Sequence, residues 1–75
     1  MSQQDIDRQE VEPQIHRWIN GRNGERDRFI LSMYLFDGIT YDKMLDRLEK
    51  QGYIITKDRL KQIISHRKEQ LFRHI

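Results

Sequence analysis

The side chains best equipped for chemistry crowd the last third of the chain. Lys57, Asp58, Lys61, Gln62, Ser65 and Lys68 follow Thr56 at short intervals. Lysine offers three donors, aspartate only acceptors, and glutamine and serine both kinds. Wound on one side of a helix, such a set matches the edges of base pairs in the major groove, with Asp58 able to accept from a cytosine amino group. Catalysis has a much poorer inventory. Cysteine is absent, and no two of His16, His66 and His74 stand three or four residues apart. Zinc ligation and thiol chemistry are therefore not expected. Ser32 and Ser65 have no base placed to activate them. The expectation is a protein that is not an enzyme and uses no metal or other cofactor.

The charge distribution favours an anionic partner. Fourteen Lys and Arg face twelve Asp and Glu, a formal charge of +2 over 75 residues. Residues 1–37 hold five basic and seven acidic side chains, net −2, whereas residues 38–75 hold nine and five, net +4. Most of the excess lies in 56–75, where Lys57, Arg59, Lys61, Lys68, Arg67 and Arg73 face only Asp58 and Glu69. A basic third beside an acidic amino terminus suggests an anion on one face. The competing reading is the soluble outer face of an ordinary helical bundle.

Only 36% of the chain is hydrophobic and 35% is charged, enough for one small core and no second one. The longest nearly apolar stretch, Phe29 to Phe36, is far too short to span a bilayer. The amino terminus has no basic-then-apolar leader pattern. A soluble cytoplasmic protein without membrane contact is the expectation.

Periodicity and punctuation predict an all-α fold of four helices. The first lies within roughly 5–20 on Ile6, Ile15, Trp18 and Ile19. Pro13 is expected to break it, leaving residues before about 12 as a separate turn or frayed tail. Gly21 to Gly24 form a turn. The second helix, 25–36, opens with Glu25 and Asp27 against its dipole. It is apolar all round, as in a core helix touched from several sides. Asp37-Gly38 ends it. The third starts at the N-cap Thr40, with Ile39 and Met44 at hydrophobic-staple spacing, and ends at Gln51-Gly52. The fourth repeats this grammar with Ile55, Thr56 and Leu60, and buries Leu60, Ile63, Ile64, Leu71 and Ile75. Residues 1–24 are read as an amino-terminal helix and turn and 25–75 as a helix-turn-helix unit, forming one compact domain.

A capped helix, a glycine-containing turn and a second capped helix, basic outside and apolar inside, make a candidate helix-turn-helix. From Glu25 onward the chain resembles the carboxy-terminal promoter-binding domain of bacterial sigma factors. The resemblance rests on Glu25-Arg26-Asp27-Arg28 opening an apolar helix and on the run Tyr34-Leu35-Phe36-Asp37-Gly38-Ile39-Thr40-Tyr41-Asp42. It rests as well on Thr56-Lys57-Asp58-Arg59-Leu60-Lys61-Gln62-Ile63. The stretch from Thr40 to Thr56 is longer than that family's compact motif, and Met44 and Leu45 stand where it prefers a small residue. Small helix-turn-helix regulators of phages and mobile elements, which the chain also resembles, carry similarly long units. The resemblance implies a four-helix, sigma-domain-like bundle. Within it Lys57, Asp58, Lys61 and Gln62 would contact bases and backbone, and Thr56 would cap the reading helix.

Three functions follow. The first is sequence-specific binding of double-stranded DNA in transcriptional regulation. The second is a protein-interaction module that binds RNA polymerase or a sigma factor, as an accessory factor or mimic. The third is a DNA-binding accessory protein of a phage or mobile element. Lys57, Lys61 and Gln62 free in solution favour the first and third; engagement with acidic neighbours favours the second. A homodimer would double the DNA footprint, and Ile15, Trp18, Ile19, Phe72 and Ile75 are the candidate interface residues.

Overall fold

A computed structural model describes residues 8–74. Four α-helices follow one another: α1 (Arg8–Trp18), α2 (Gly24–Ser32), α3 (Tyr41–Lys50) and α4 (Lys57–Arg73). The described residues contain no strand, and none of their helices is long and apolar enough to cross a membrane. The fold is all-α, as the sequence predicts. Ile6 and Ile75 lie outside the described residues.

Helix α1 runs unbroken through Pro13, contrary to expectation. Tertiary packing explains the difference. Val11 and Ile15, on either side of the proline, are buried in the core, while Pro13 itself is exposed. Burying each such side chain contributes roughly 1.5–3 kcal/mol, enough together to offset roughly 3 kcal/mol for an interior proline. Beyond α1, the Arg28 guanidinium donates to the Ile19 carbonyl at 2.8 Å, which secures the chain where it turns into α2.

The regular part of α2 stops four residues earlier than the sequence suggests. Met33–Asp37 form a wider π-helical turn, closed by the Gly38 N–H donating to the Met33 carbonyl at 3.1 Å. Gly38 ends it in the left-handed region, at φ 62°. The all-round apolar surface has the expected consequence. Ile30 and Met33 enter one cluster with Met44, Leu48, Leu60, Ile63 and Ile64. Leu31 and Leu35 enter another with Val11, Ile15, Ile19 and Leu71. Tyr34 packs against both clusters. Phe29 is only half-buried, so the deepest anchors of α2 are Ile30 and Leu31.

Helices α3 and α4 begin as their sequences require. The Thr40 hydroxyl accepts from the Lys43 N–H at 3.3 Å, and the Thr56 hydroxyl from the Arg59 N–H at 3.1 Å. Each threonine thus satisfies a backbone donor that a helix start leaves over. Ile39 and Ile55, before the caps, pack on the cluster that holds Met44 and Leu60. Helix α3 ends in a Schellman motif. Gly52 N–H donates to the Glu49 carbonyl at 2.9 Å and Tyr53 N–H to that of Leu48 at 2.8 Å. This closure needs Gly52 at φ 92°, where a Cβ is disfavoured.

Candidate nucleic-acid interface

Helix α4 divides its sides cleanly. Leu60, Ile63, Ile64 and Leu71 are at most 4% exposed and bind the helix to both clusters. Thr56, Lys57, Asp58, Lys61, Gln62 and Ser65 are exposed; Lys68 is half-buried at the edge of the same face. Six of the seven predicted residues therefore lie along α4 off its core stripe, and Thr56 immediately precedes it. Thr56 holds the start of α4 through its hydroxyl, so its role in the structure is the cap.

Three lysines form the flank nearest α3. Lys57 Nζ lies 3.5 Å from Asp42 Oδ1, with the two side chains 48% and 81% exposed. An ion pair this open is worth about 0–1 kcal/mol, so Lys57 can exchange it for a phosphate at little cost. Lys61 sits over the Tyr41 ring at 5.6 Å and Lys68 over the Tyr34 ring at 5.3 Å. Both distances fall within cation–π range and draw the ammonium groups toward α3 and the π-helical turn. Asp58, Lys61 and Lys68 make no ion pair among the described residues.

The other flank joins Gln62 to residues outside the predicted set. Arg59 donates to Gln62 Oε1 at 3.5 Å, so Gln62 reaches it with its amide oriented by a neighbouring cation. Next to them a cleft of about 190 Å³ is lined by Asn23, Arg26, Arg59, Gln62, His66 and Arg67, among others. At its base Asp27, 3% exposed, receives the Nε of Arg26 at 3.0 Å and that of Arg67 at 2.7 Å. Arg67 also donates to Gln70 Oε1 at 2.8 Å and to the Asn20 carbonyl at 3.3 Å. Gln70 in turn donates to the Trp18 carbonyl at 3.2 Å. This network ties the end of α1 and the start of α2 to the middle of α4. Asp27 is thus chiefly a buried counter-charge; the sequence suggests only its role at the helix dipole. Arg59, exposed, extends the cationic surface beyond the predicted lysines, and the exposed His66 adds a polar ring beside it. Only the surplus of cations in 56–75 hinted at Arg59.

The connection between α3 and α4 is itself anchored. The Tyr53 hydroxyl donates to Glu25 Oε1 at 3.1 Å, joining the turn to the start of α2. Partial desolvation, then the hydrogen bond to Glu25 and its negative charge, raise the Tyr53 phenol above its ordinary 10.0; Arg26 opposes the shift. The long Thr40–Thr56 unit therefore keeps its inner turn fixed to the bundle.

Two of the expected interface residues belong to the interior. Ile15 and Ile19 are 1% and 0% exposed, packed with Leu31, Leu35 and Leu71. They are not available to a second copy. Trp18 is half-buried and stacks on His74 at 3.9 Å with the rings 9° apart. Phe72 does remain 44% exposed, and Ile75 lies outside the described residues. No three His, Asp or Glu side chains among the described residues converge as a metal site. No protein-family model matches this sequence, and neither a curated protein nor a solved structure is significantly similar to it.

Proposed function

We propose that this protein is a sequence-specific DNA-binding regulator of transcription with α4 as its recognition helix. The observation that carries the reading is the division of α4. Its inner stripe is wholly in the core, and its outer face presents Asp58, Lys61, Gln62 and Ser65 to solvent with no acidic partner among the described residues, Lys57 alone meeting an acidic neighbour, Asp42, through an open pair. In the major groove Lys61 would donate to guanine O6 or N7. Gln62 would pair with adenine N6 and N7, and Asp58 would accept from cytosine N4. Lys57 and Lys68 on one flank, and Arg59 and His66 on the other, would meet the phosphates along the two walls of the groove. The resemblance to the promoter-binding domain of sigma factors and to small phage regulators points the same way. RNA polymerase or a sigma factor is then a second partner to test.

The decisive experiment selects binding sites from a random duplex pool at fixed salt and then compares variants on the selected site. Lys61→Ala and Gln62→Ala should each cost about 1–3 kcal/mol and relax preference at one position. With three cationic phosphate contacts, Lys57, Lys68 and Arg59, log K should fall with log salt at a slope of about −3. Neither variant should change the helical circular dichroism, because both side chains are exposed. Unchanged affinity in the folded double variant refutes the assignment. Binding that requires added polymerase would favour the accessory-factor reading. Sedimentation with and without DNA separates a monomer from a dimer reading half-sites about 34 Å apart.

A further inference from the structure

A second surface, on α3 and the turn that follows it, has the opposite character. Among the large hydrophobic side chains, Ile54 is 76% exposed, the most open of the described residues. It borders a groove of about 330 Å³ lined by Asp42, Leu45, Asp46, Glu49, Ile54 and Ile55, together with Tyr53. Leu45, Ile55 and Tyr53 are half-buried and continuous with the core, so they form a fixed apolar floor. Asp42, Asp46 and Glu49 recur at helical spacing and make one acidic wall. The basic residues of α3, Lys43, Arg47 and Lys50, are not among the lining residues.

The local cations leave this wall negative. Lys50 reaches Asp46 at 3.2 Å and Lys57 reaches Asp42 at 3.5 Å, both through exposed pairs. Glu49 has no ion pair among the described residues. Three carboxylates against two lysines, beside an apolar floor, leave a net negative wall that disfavours a phosphate backbone. They complement a surface with one or two apolar side chains flanked by lysine or arginine. An amphipathic helix presents such a row at positions three and four apart.

We infer that this groove docks the apolar face of a basic amphipathic helix belonging to a partner protein. The inference is independent of the reading of α4. It is tested by display selection of random helical peptides on the full chain, followed by anisotropy titration of the selected peptides. The enriched peptides should carry apolar residues three or four apart and a net positive charge. Ile54→Asp, which replaces an exposed side chain and should leave the circular dichroism unchanged, is expected to weaken them at least about tenfold. Glu49→Lys should weaken them about two- to fivefold, and peptides with lysine changed to glutamate should recover affinity for that variant.

The proposal is overturned by no enrichment, by enrichment of acidic or uncharged peptides, by equal binding to Ile54→Asp, or by no response to charge reversal at Glu49. Wild-type self-association that Ile54→Asp abolishes would put a second copy in the groove instead. Loss of duplex-DNA affinity in Ile54→Asp would make the groove part of a nucleic-acid surface, and would equally overturn the proposal.

Discussion

Asp27→Ala tests the internal architecture most directly, because one carboxylate answers two guanidinium groups. The side chain is 4% exposed, and Arg26 and Arg67, which it holds, are 15% and 16% exposed. Alanine leaves Arg67 with Gln70 Oε1 and the Asn20 carbonyl but no counter-charge. Stranding one partner of a fully buried pair costs about 3–5 kcal/mol; residual access to water lowers the figure here to about 2–4 kcal/mol. A 75-residue chain has about 4–11 kcal/mol of stability in all, so the loss should be large. Urea titration followed by circular dichroism measures it as a fall in midpoint at constant slope.

The same network makes a second comparison. The triple substitution Asp27→Leu with Arg26→Met and Arg67→Met removes all three charges and should return to within about 1 kcal/mol of wild type, since apolar side chains of similar volume have no charge to desolvate. A thermodynamic cycle with Arg67→Ala should give a coupling of about 1.5 kcal/mol or more. A midpoint shift worth less than about 0.5 kcal/mol for Asp27→Ala, or no coupling, refutes the reasoning. The network would then be a surface arrangement with no hold on the helices.

Other substitutions probe separate features. Ile30→Ala, at a site with no exposure, should cost about 2–5 kcal/mol, and Phe29→Ala, half-buried, about 1–2 kcal/mol; equal thermal shifts would contradict the assignment of the core face. Gly52→Ala meets no atom within 4 Å but must hold a φ of 92°, so backbone strain alone should cost about 1–2 kcal/mol, and an unchanged melting temperature would rule out the left-handed closure. Tyr53→Phe removes a phenol whose folded value lies above its ordinary 10.0. The neutral phenol is the form that donates to Glu25, so its contribution is present below the unfolded value and lost as pH rises through the folded one. The stability gap between wild type and Tyr53→Phe should therefore hold at neutral pH and shrink above pH 10, and a gap constant through that range would contradict the contact.

What was legible in the sequence is what depends on neighbours. Thr40 and Thr56 cap helices because the acceptor and the N–H it meets are three residues apart, and the staples and the Gly52 closure are equally local. The apolar faces of α3 and α4 follow from spacing alone, whereas α2, apolar all round, has no face that spacing could select. The features that escaped depend on distance along the chain. Asp27 and Arg67 are forty residues apart, and each alone looks like a solvated helix residue. Pro13 was misread because its cost is local, while the burial of Val11 and Ile15 that offsets it comes from helices α2 and α4. The same blindness made Ile15 and Ile19 look like interface residues. The π-helical turn has no signal in Met33-Tyr34-Leu35-Phe36-Asp37 that we can identify.

The candidate site divides along the same line. Six of its predicted residues share the outer side of α4 because helical spacing fixes their direction, with Thr56 as the cap before them, whereas the Arg26–Asp27–Arg67 cleft beside Arg59 and His66 forms only where α4 meets α2. Helix α4 anchors its first half in one cluster through Leu60, Ile63 and Ile64 and its end in the other through Leu71. Its orientation is thereby held at both ends by groups that the outer face does not share. A helix that must enter a groove needs this separation, because its reading residues can then be varied without altering the angle at which they are presented. The same separation gives the outer-face substitutions their meaning: with the circular dichroism unchanged, a loss of binding in Gln62→Ala, or in Lys61→Ala, which also uncovers the Tyr41 ring, measures contact with the ligand.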